Sequence, residues 1–215
     1  MGSGATYALV TFLAGALLLL GWCYENIENP RSGAMLKKSL LLFVLPIMLA
    51  PVHLLQFPLS MWVLVAWEEG LKAFASSRER RPIDKFWLVT LFGIWELTVD
   101  KPFWGLIAAP TVEGWDRLAL AGLIYATALP VLLHAVTAAI YAFTFRGRLW
   151  AAFIVAWAIH TMFNESVDYF GLSPIAVTIS TAVLAAILFG TIRGHRLEVL
   201  DPTLKRQNGS FQDSH

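Results

Sequence analysis

The chain is short of charge, of cysteine and of any excess of positive or negative residues. Only 14% of its 215 residues are Asp, Glu, Lys or Arg, against about 25% in a soluble domain. The net charge of +1 leaves no basic surface of the kind that binds nucleic acid, so no nucleic-acid partner is expected. Cys23 is the single cysteine, which excludes an internal disulfide and a cysteine-based zinc motif.

Apolar residues dominate instead, at 57% of the chain with a mean hydropathy of +0.63. Seven apolar runs are long enough to cross about 30 Å of hydrocarbon. They lie at approximately 6–23, 39–56, 59–76, 86–104, 118–145, 149–167 and 173–192. The sequence therefore predicts an all-α, polytopic bundle of about seven transmembrane helices, with the lipid bilayer as its surroundings.

We expect one transmembrane domain over residues 1–193, with the candidate site between residues 60 and 168. Residues 194–215 turn polar and are expected to form a disordered cytoplasmic tail. Thirteen of the 16 Lys and Arg lie in connections on the side of the C-terminus. Positive loops stay in the cytoplasm, which predicts a multi-pass protein of the cell membrane with its N-terminus outside and its C-terminus cytoplasmic.

Four of the predicted spans contain side chains that are costly in lipid. A charge at membrane depth is unfavourable unless it is paired or faces a polar cavity. At about 1.5 Å per residue, these side chains fall at similar depths, which predicts one site built from four helices. The residues are Glu68, Glu69 and Lys72, then Glu96, then His134, then His160 with Asn164.

Helical spacing predicts how some of these side chains are directed. Glu68 and Lys72 are four residues apart and share a helix face. Glu68 and Glu69 are adjacent and diverge by about 100°, so they are not expected to aim at one point. We expect one carboxylate to face the site and the other to be held by Lys72 or by a neighbouring helix.

The residue types favour hydrolysis by an activated water molecule. A carboxyl group in a dry site beside a second carboxyl binds a proton more readily, which suits a general base near neutrality. Two imidazoles and an amide can orient water or donate to an oxyanion. No serine or cysteine accompanies the histidines, and Thr137 is expected to bond a helix carbonyl. An acyl-enzyme route is therefore disfavoured.

Taken in order, four short motifs resemble those of the PrsW-type intramembrane proteases, which are related to the CAAX-protease and bacteriocin-processing superfamily. The motifs are E-E-x-x-K at Glu68–Lys72, F-x-x-x-E at Phe92–Glu96, the lone His134, and H-x-x-x-N at His160–Asn164. The larger superfamily typically has arginine after the Glu pair and histidine after the phenylalanine. The lysine and glutamate found here point to the PrsW-like branch.

The resemblance implies an intramembrane endopeptidase that hydrolyses membrane-tethered protein or peptide substrates. Glu68 or Glu69 would be the general base, and Glu68 is favoured. His134 and His160 would position the water or the scissile carbonyl, and Asn164 would support the oxyanion.

The remaining members have secondary roles in this interpretation. Glu96 would be a second acidic group of the site, and Lys72 a supporting residue. No cofactor is expected, since H-E-x-x-H is absent. A zinc ion, if one is used, would be held by Glu68, His134 and His160.

Three other functions stay open on the sequence. Buried Glu, Lys and His also build the proton relays of coupled transporters, although no inverted repeat is evident. His134 and His160 on different helices are also compatible with axial ligation of haem. A scaffold without catalysis would use the same side chains as an ion pair or as polar contacts between helices.

Overall fold

The computed structural model describes residues 3–47, 60–107, 120–145, 148–170 and 174–200. Nearly every residue in these ranges is helical, and none of them belongs to a β-strand. The predicted all-α class is therefore confirmed, because the apolar runs form helices wherever they are described.

Eight α-helices are present in the described ranges. They are α1 (Ser3–Glu25), α2 (Ser32–Ile47), α3 (Ser60–Arg78), α4 (Pro82–Trp95), α5 (Lys101–Ile107), α6 (Leu120–Ala139), α7 (Leu149–Phe170) and α8 (Pro174–Leu200). Two single turns of π-helix interrupt or extend them. Glu96–Asp100 joins α4 to α5, and Ile140–Thr144 continues α6.

The helix bounds follow the predicted runs, with two differences. Helix α2 begins at Ser32, before the apolar run starts, because helix formation tolerates the polar residues that precede it. Helix α8 continues to Leu200, so residues 194–200 are helical and do not belong to the predicted disordered tail. The rest of that tail, residues 201–215, lies outside the described residues.

Two described stretches, Ala5–Glu25 and Thr127–Thr144, are long and apolar enough to cross a membrane by length and composition. The first is near the N-terminus, and 61% of the second is buried inside the protein. A signal sequence and the core helix of a soluble protein have the same properties. The seven predicted spans therefore stay a prediction.

Helix α4 is the centre of the bundle. It packs against α2 on one side and α6 on the other, while α6 also packs on α8 and α3 packs on α7. Every residue from Leu88 to Ile94 is buried, as expected for a helix that is apolar on all sides. The end of α4 therefore points into the interior, and Glu96 follows it directly.

The start of α4 is fixed by an ion pair. Pro82 occupies the first turn, where its missing N–H is not needed. The Arg81 guanidinium donates to both Asp84 oxygens at 2.7 Å, and Arg31 approaches the same carboxylate at 3.5 Å. The Arg81 hydrogen bond holds the pKa of Asp84 below its ordinary value of 3.8, against the opposing effect of burial, and Arg31 adds to the lowering.

Asp84→Asn is expected to make the stability of the fold depend less on pH in the acidic range. A depressed carboxyl pKa stabilises the fold above the unfolded-state pKa, and that contribution is lost as pH falls through the folded-state value, here below 3.8. The midpoint temperature of thermal unfolding should be slightly lower in the variant than in wild type at pH 7. It should also fall by less in the variant as the pH is lowered to 3. Parallel curves for both proteins would contradict this account.

Candidate functional site

The ammonium group of Lys72 lies at the middle of a buried group of polar side chains. Its side chain is 0% exposed. The three protons of Nζ have three partners: Glu68 Oε1 at 2.5 Å, Glu69 Oε1 at 2.7 Å and His134 Nδ1 at 2.7 Å. The ring of Phe92 lies beneath it, with its centroid 4.7 Å from Nζ. We call the group formed by Glu68, Glu69, Lys72, Glu96, His134 and His160 the charged cluster.

His134 connects Lys72 to Glu96. An ammonium group can only donate, so Nδ1 of His134 accepts from Lys72 and the ring proton lies on Nε2. That N–H donates to Glu96 Oε2 at 2.5 Å. The ring is 1% exposed. Because both nitrogens are engaged, His134 holds its neighbours in place. Its role in positioning the water or the scissile carbonyl stays a prediction.

Glu96 lies where the helix widens into a π turn. Its backbone carbonyl accepts from the N–H of Lys101, five residues on, and the Lys101 ammonium is 2.8 Å from its Oε1. In a regular α-helix, residues five apart lie about 140° apart around the axis, so the ion pair depends on the π turn. Single π turns occur often at functional sites. Pro102 lacks an N–H and disfavours a regular helical ladder at this point.

Glu69 is fully buried, and its carboxylate accepts three hydrogen bonds. Its Oε1 accepts from Lys72 and, at 2.8 Å, from Nδ1 of His160. Its Oε2 accepts from the hydroxyl of Tyr141 at 3.1 Å, which lies in the second π turn. A buried carboxylate with three donors has little capacity left to bind a water molecule. Glu69 is therefore the more fully bonded member of the pair.

Glu68 has the more open environment of the two glutamates. Its side chain is 18% exposed. Lys72 holds Oε1, which is also 3.8 Å from Nδ1 of His134 and 3.8 Å from Nδ1 of His160. Its Oε2 has no hydrogen-bond donor among the residues that the structure describes. Glu68 thus combines fixed placement with one oxygen that can accept a proton.

His160 completes the charged cluster from helix α7. The Glu69 carboxylate can only accept, so Nδ1 of His160 carries a proton and Nε2 has the lone pair in the neutral ring. No described side chain bonds Nε2. The two imidazoles meet edge to face, with ring centroids 5.6 Å apart. His160 therefore presents the imidazole nitrogen that can contact a water molecule.

Asn164 follows His160 by one turn of α7 and is partly buried. Its oxyanion role stays a prediction.

One expectation about the Glu pair is wrong. Adjacent positions were expected to direct the two carboxylates to different points, yet both reach Nζ of Lys72, within 2.7 Å. Glutamate side chains three and four residues before a lysine can both reach it. Their flexibility allows this even though the Cα–Cβ bonds of adjacent residues point in different directions.

Gly93 makes room for His134. A Cβ atom added at this position would lie 2.5 Å from Cδ2, 2.6 Å from Cβ and 2.7 Å from Cγ of the histidine. An isolated glycine inside a helical pattern usually has such a packing reason, so its position between Phe92 and Glu96 is a signal that the sequence offers.

Gly93→Ala is expected to lower the free energy of unfolding by about 1–3 kcal/mol, as overpacking of a core typically does. Displacement of His134 should also disturb its bonds to Lys72 and Glu96. Gly70→Ala is the matched control on helix α3, because its Cβ would meet nothing closer than Phe153 Cε2 at 4.0 Å. Thermal unfolding in detergent measures both. Equal destabilisation by the two alanines would contradict the packing account.

The charged cluster offers two sets of possible metal ligands, but neither fits a metal in this arrangement. Glu68, Glu69 and His160 form one set and Glu68, Glu96 and His134 the other, each with ligand atoms within 4.8 Å. Neither equals the predicted zinc set of Glu68, His134 and His160. Ammonium groups already bond the carboxylates of both sets, and a dication would be repelled by them.

Haem ligation does not fit either. An axial histidine needs a free ring nitrogen, whereas both nitrogens of His134 are engaged.

Sequence reasoning missed two side chains that touch the cluster. Lys101 was not among the candidate residues, but it pairs with Glu96. Tyr141 carried no signal of its own, since a tyrosine near a helix end is ordinarily an interfacial or packing residue. The expected contact of Thr137 is present, since its hydroxyl donates to the carbonyl of His134 at 3.1 Å.

Comparison with known proteins adds no assignment. No protein-family model, no curated protein and no solved structure matches the chain.

Proposed function

We propose that the chain is a polytopic intramembrane endopeptidase of the PrsW type, in which Glu68 activates water to hydrolyse a peptide bond of a membrane-tethered protein or peptide. The observation that carries this proposal is the position of Glu68. Its carboxylate is held by Lys72, lies 3.8 Å from an imidazole nitrogen of His134 and of His160, and keeps one oxygen without a donor among the described residues.

Exposed apolar side chains support the membrane setting. Leu17 and Leu20 on α1 are 67% and 66% exposed, and Ile175 and Phe189 on α8 are 74% and 67% exposed. Large apolar surfaces of this kind are rare on soluble monomers and occur where lipid or another protein covers them. A charged cluster buried between such helices is what an intramembrane site requires.

The charge of the cluster suits proton transfer. Three carboxylates of the cluster, those of Glu68, Glu69 and Glu96, face the Lys72 ammonium within it and the Lys101 ammonium beside it. With neutral imidazoles these five groups sum to one negative charge, so together they can take up one proton without becoming positive. Glu68 is the member with an oxygen open to receive that proton.

The reaction then balances with one water and no other reactant. Glu68 takes a proton from the water, and Nε2 of His160 accepts a hydrogen bond from its second hydrogen. The resulting hydroxide attacks the scissile carbonyl carbon, and Asn164 supports the oxyanion. When the C–N bond breaks, Glu68 returns the proton to the leaving nitrogen, which gives one carboxyl and one amine product.

The test is cleavage of a tethered model substrate by the purified full-length protein in liposomes, with products identified by mass. We expect wild type and Glu79→Gln to cleave, since Glu79 pairs with Lys38 outside the cluster. Glu68→Gln and His160→Ala should lose activity, and a chelator should leave the wild-type rate unchanged. No cleavage by wild type, or equal rates in all variants, would eliminate the proposal.

A proton-coupled transporter is the second candidate, and one observation favours it. Hydrogen bonds and ion pairs run without a break from Lys101 through Glu96, His134 and Lys72 to Glu69, with every link at 2.8 Å or less. Such chains can conduct protons. Solute flux driven by a pH gradient in liposomes, lost in Glu96→Gln, would support this function instead.

A further inference from the structure

A groove of about 520 Å³ opens between α3 and α7, beside the charged cluster but not part of it. Trp62 of α3 forms one wall. The rest is formed by six residues of α7: Trp157, Ala158, Thr161, Met162, Glu165 and Ser166. Thr161 directly follows His160 in α7, although adjacent helical side chains diverge by about 100°, and none of the residues of the charged cluster lines the groove. Its volume lies within the range of small-molecule and peptide-residue pockets.

The hydroxyl of Thr161 is unusual in this groove. Thr161 is 2% exposed, and its Oγ1 has no hydrogen-bond partner among the described residues. A helical threonine ordinarily satisfies its hydroxyl on the carbonyl one turn earlier. A buried, unpaired hydroxyl is unfavourable and is relieved when a polar partner enters. A hydrocarbon chain cannot supply that partner, whereas a peptide backbone can.

The two tryptophans have no N–H left to donate. Trp157 Nε1 donates to the carbonyl of Trp62 at 3.2 Å, and Trp62 Nε1 donates to Glu165 Oε1 at 2.8 Å. Their rings meet edge to face with centroids 5.9 Å apart. Both rings therefore present apolar surface to the groove. The occupant must be mainly apolar where it touches them.

Glu165 sets the charge that the groove accepts. Its carboxylate is exposed at the rim, and Trp62 fixes its orientation. A negative group at the rim repels acidic side chains and anionic headgroups, and it attracts amide N–H groups. Apolar walls, a buried hydroxyl and an acidic rim together favour a peptide over a lipid.

We infer that this groove binds an apolar segment of the peptide substrate, free of acidic residues, with a backbone group bonded to the Thr161 hydroxyl. The inference rests on the proposed function, since it names the substrate class of the same site. The protease therefore selects substrates with an aliphatic or aromatic segment that fits this groove.

Cross-linking tests the occupant without requiring cleavage. In a Cys23→Ser, Glu68→Gln protein, Met162→Cys places one thiol on the groove at a position that is 71% exposed in the wild type. Ile154→Cys on the same helix, 43% exposed and outside the groove, is the matched control. A membrane-tethered apolar peptide carries a single cysteine that is moved along its sequence.

We expect disulfide formation with Met162→Cys at one or two neighbouring peptide positions, and none above background with Ile154→Cys. Equal capture at both protein positions, or uniform capture along the peptide, would overturn the inference. So would loss of capture when the lipid-to-protein ratio is raised, because lipid would then be the occupant.

Kinetic measurements test the roles assigned to the Thr161 hydroxyl and to the Glu165 carboxylate. Thr161→Val removes the hydroxyl at nearly constant volume and should raise KM by about 3- to 10-fold with kcat unchanged, the loss of one hydrogen bond. Thr161→Ser should restore the wild-type KM. Glu165→Gln keeps an oxygen for the Trp62 indole and should abolish discrimination against a substrate with an aspartate in the groove segment. An unchanged KM in Thr161→Val, or discrimination that persists in Glu165→Gln, would contradict the assignment.

The two proposals fail separately. Capture of the peptide at Met162→Cys, with no cleavage by wild type, would remove the protease function and retain the groove. Cleavage by wild type without capture at Met162→Cys would remove the groove assignment and retain the protease function.

Discussion

Glu68→Gln is expected to lower kcat for peptide hydrolysis by about 10²- to 10⁴-fold, the usual contribution of a general base. Stability should stay near that of wild type, because glutamine keeps an oxygen for Lys72 and the side chain is partly exposed, at 18%. KM should change little, since the groove that we assign to substrate binding does not include this residue.

Glu69→Gln separates the base from its structural neighbour. Glu69 bonds Lys72, His160 and Tyr141 and is 0% exposed. Loss of its charge leaves the buried ammonium with one fewer anionic partner, and the new NH2 group cannot accept a hydrogen bond, so this variant should lose stability as well as activity. Thermal unfolding in detergent, measured together with the cleavage rate, shows whether the loss of activity follows from the loss of stability.

The opposite pattern would reverse the assignment. If Glu68→Gln unfolds readily while Glu69→Gln stays folded and inactive, Glu69 is the base and Glu68 the structural carboxylate. If both keep wild-type kcat, neither glutamate activates water.

The helices and the convergence of the cluster could be predicted because both depend on simple sequence properties. Long apolar runs fix where helices form, and polar residues that interrupt such runs must find one another or a cavity. Glu96, His134 and His160 come together for that reason.

The detailed contacts could not be predicted, since they depend on departures from regular helix geometry. Lys101 reaches Glu96 through a π turn, and Tyr141 reaches Glu69 from another. Sequence periodicity assumes 3.6 residues per turn and places both side chains elsewhere. The assignment of each carboxylate oxygen to a donor likewise follows from packing rather than from spacing.

Lys72→Met is expected to cause the largest loss of stability in the protein, about 3–5 kcal/mol of the free energy of unfolding. Removal of one partner from a buried ion pair leaves an uncompensated charge, and here one ammonium serves two carboxylates and an imidazole. Equilibrium unfolding in mixed detergent micelles gives the value. Activity should be lost as well, because Glu68 loses its anchor.

Lys38→Met is the matched control. Lys38 also bonds a glutamate, Glu79, but its side chain is 56% exposed, and such surface pairs contribute about 0–1 kcal/mol. Comparable losses in the two methionine variants would show that the Lys72 site is not desolvated as described. Lys72→Arg should not restore the wild-type value, since a planar guanidinium cannot direct three donors from a single nitrogen.

A double variant tests whether the cost arises from unpaired charge. If it does, Glu69→Gln should be less damaging in the Lys72→Met protein than in wild type, because it removes one of the carboxylates left without a cation. Coupling between residues in one network commonly reaches about 0.5–3 kcal/mol. Additive losses would mean that Lys72 stabilises the fold through contacts other than those with its carboxylate partners, such as its ammonium group over the Phe92 ring, and the charged cluster would then not be a preorganised site.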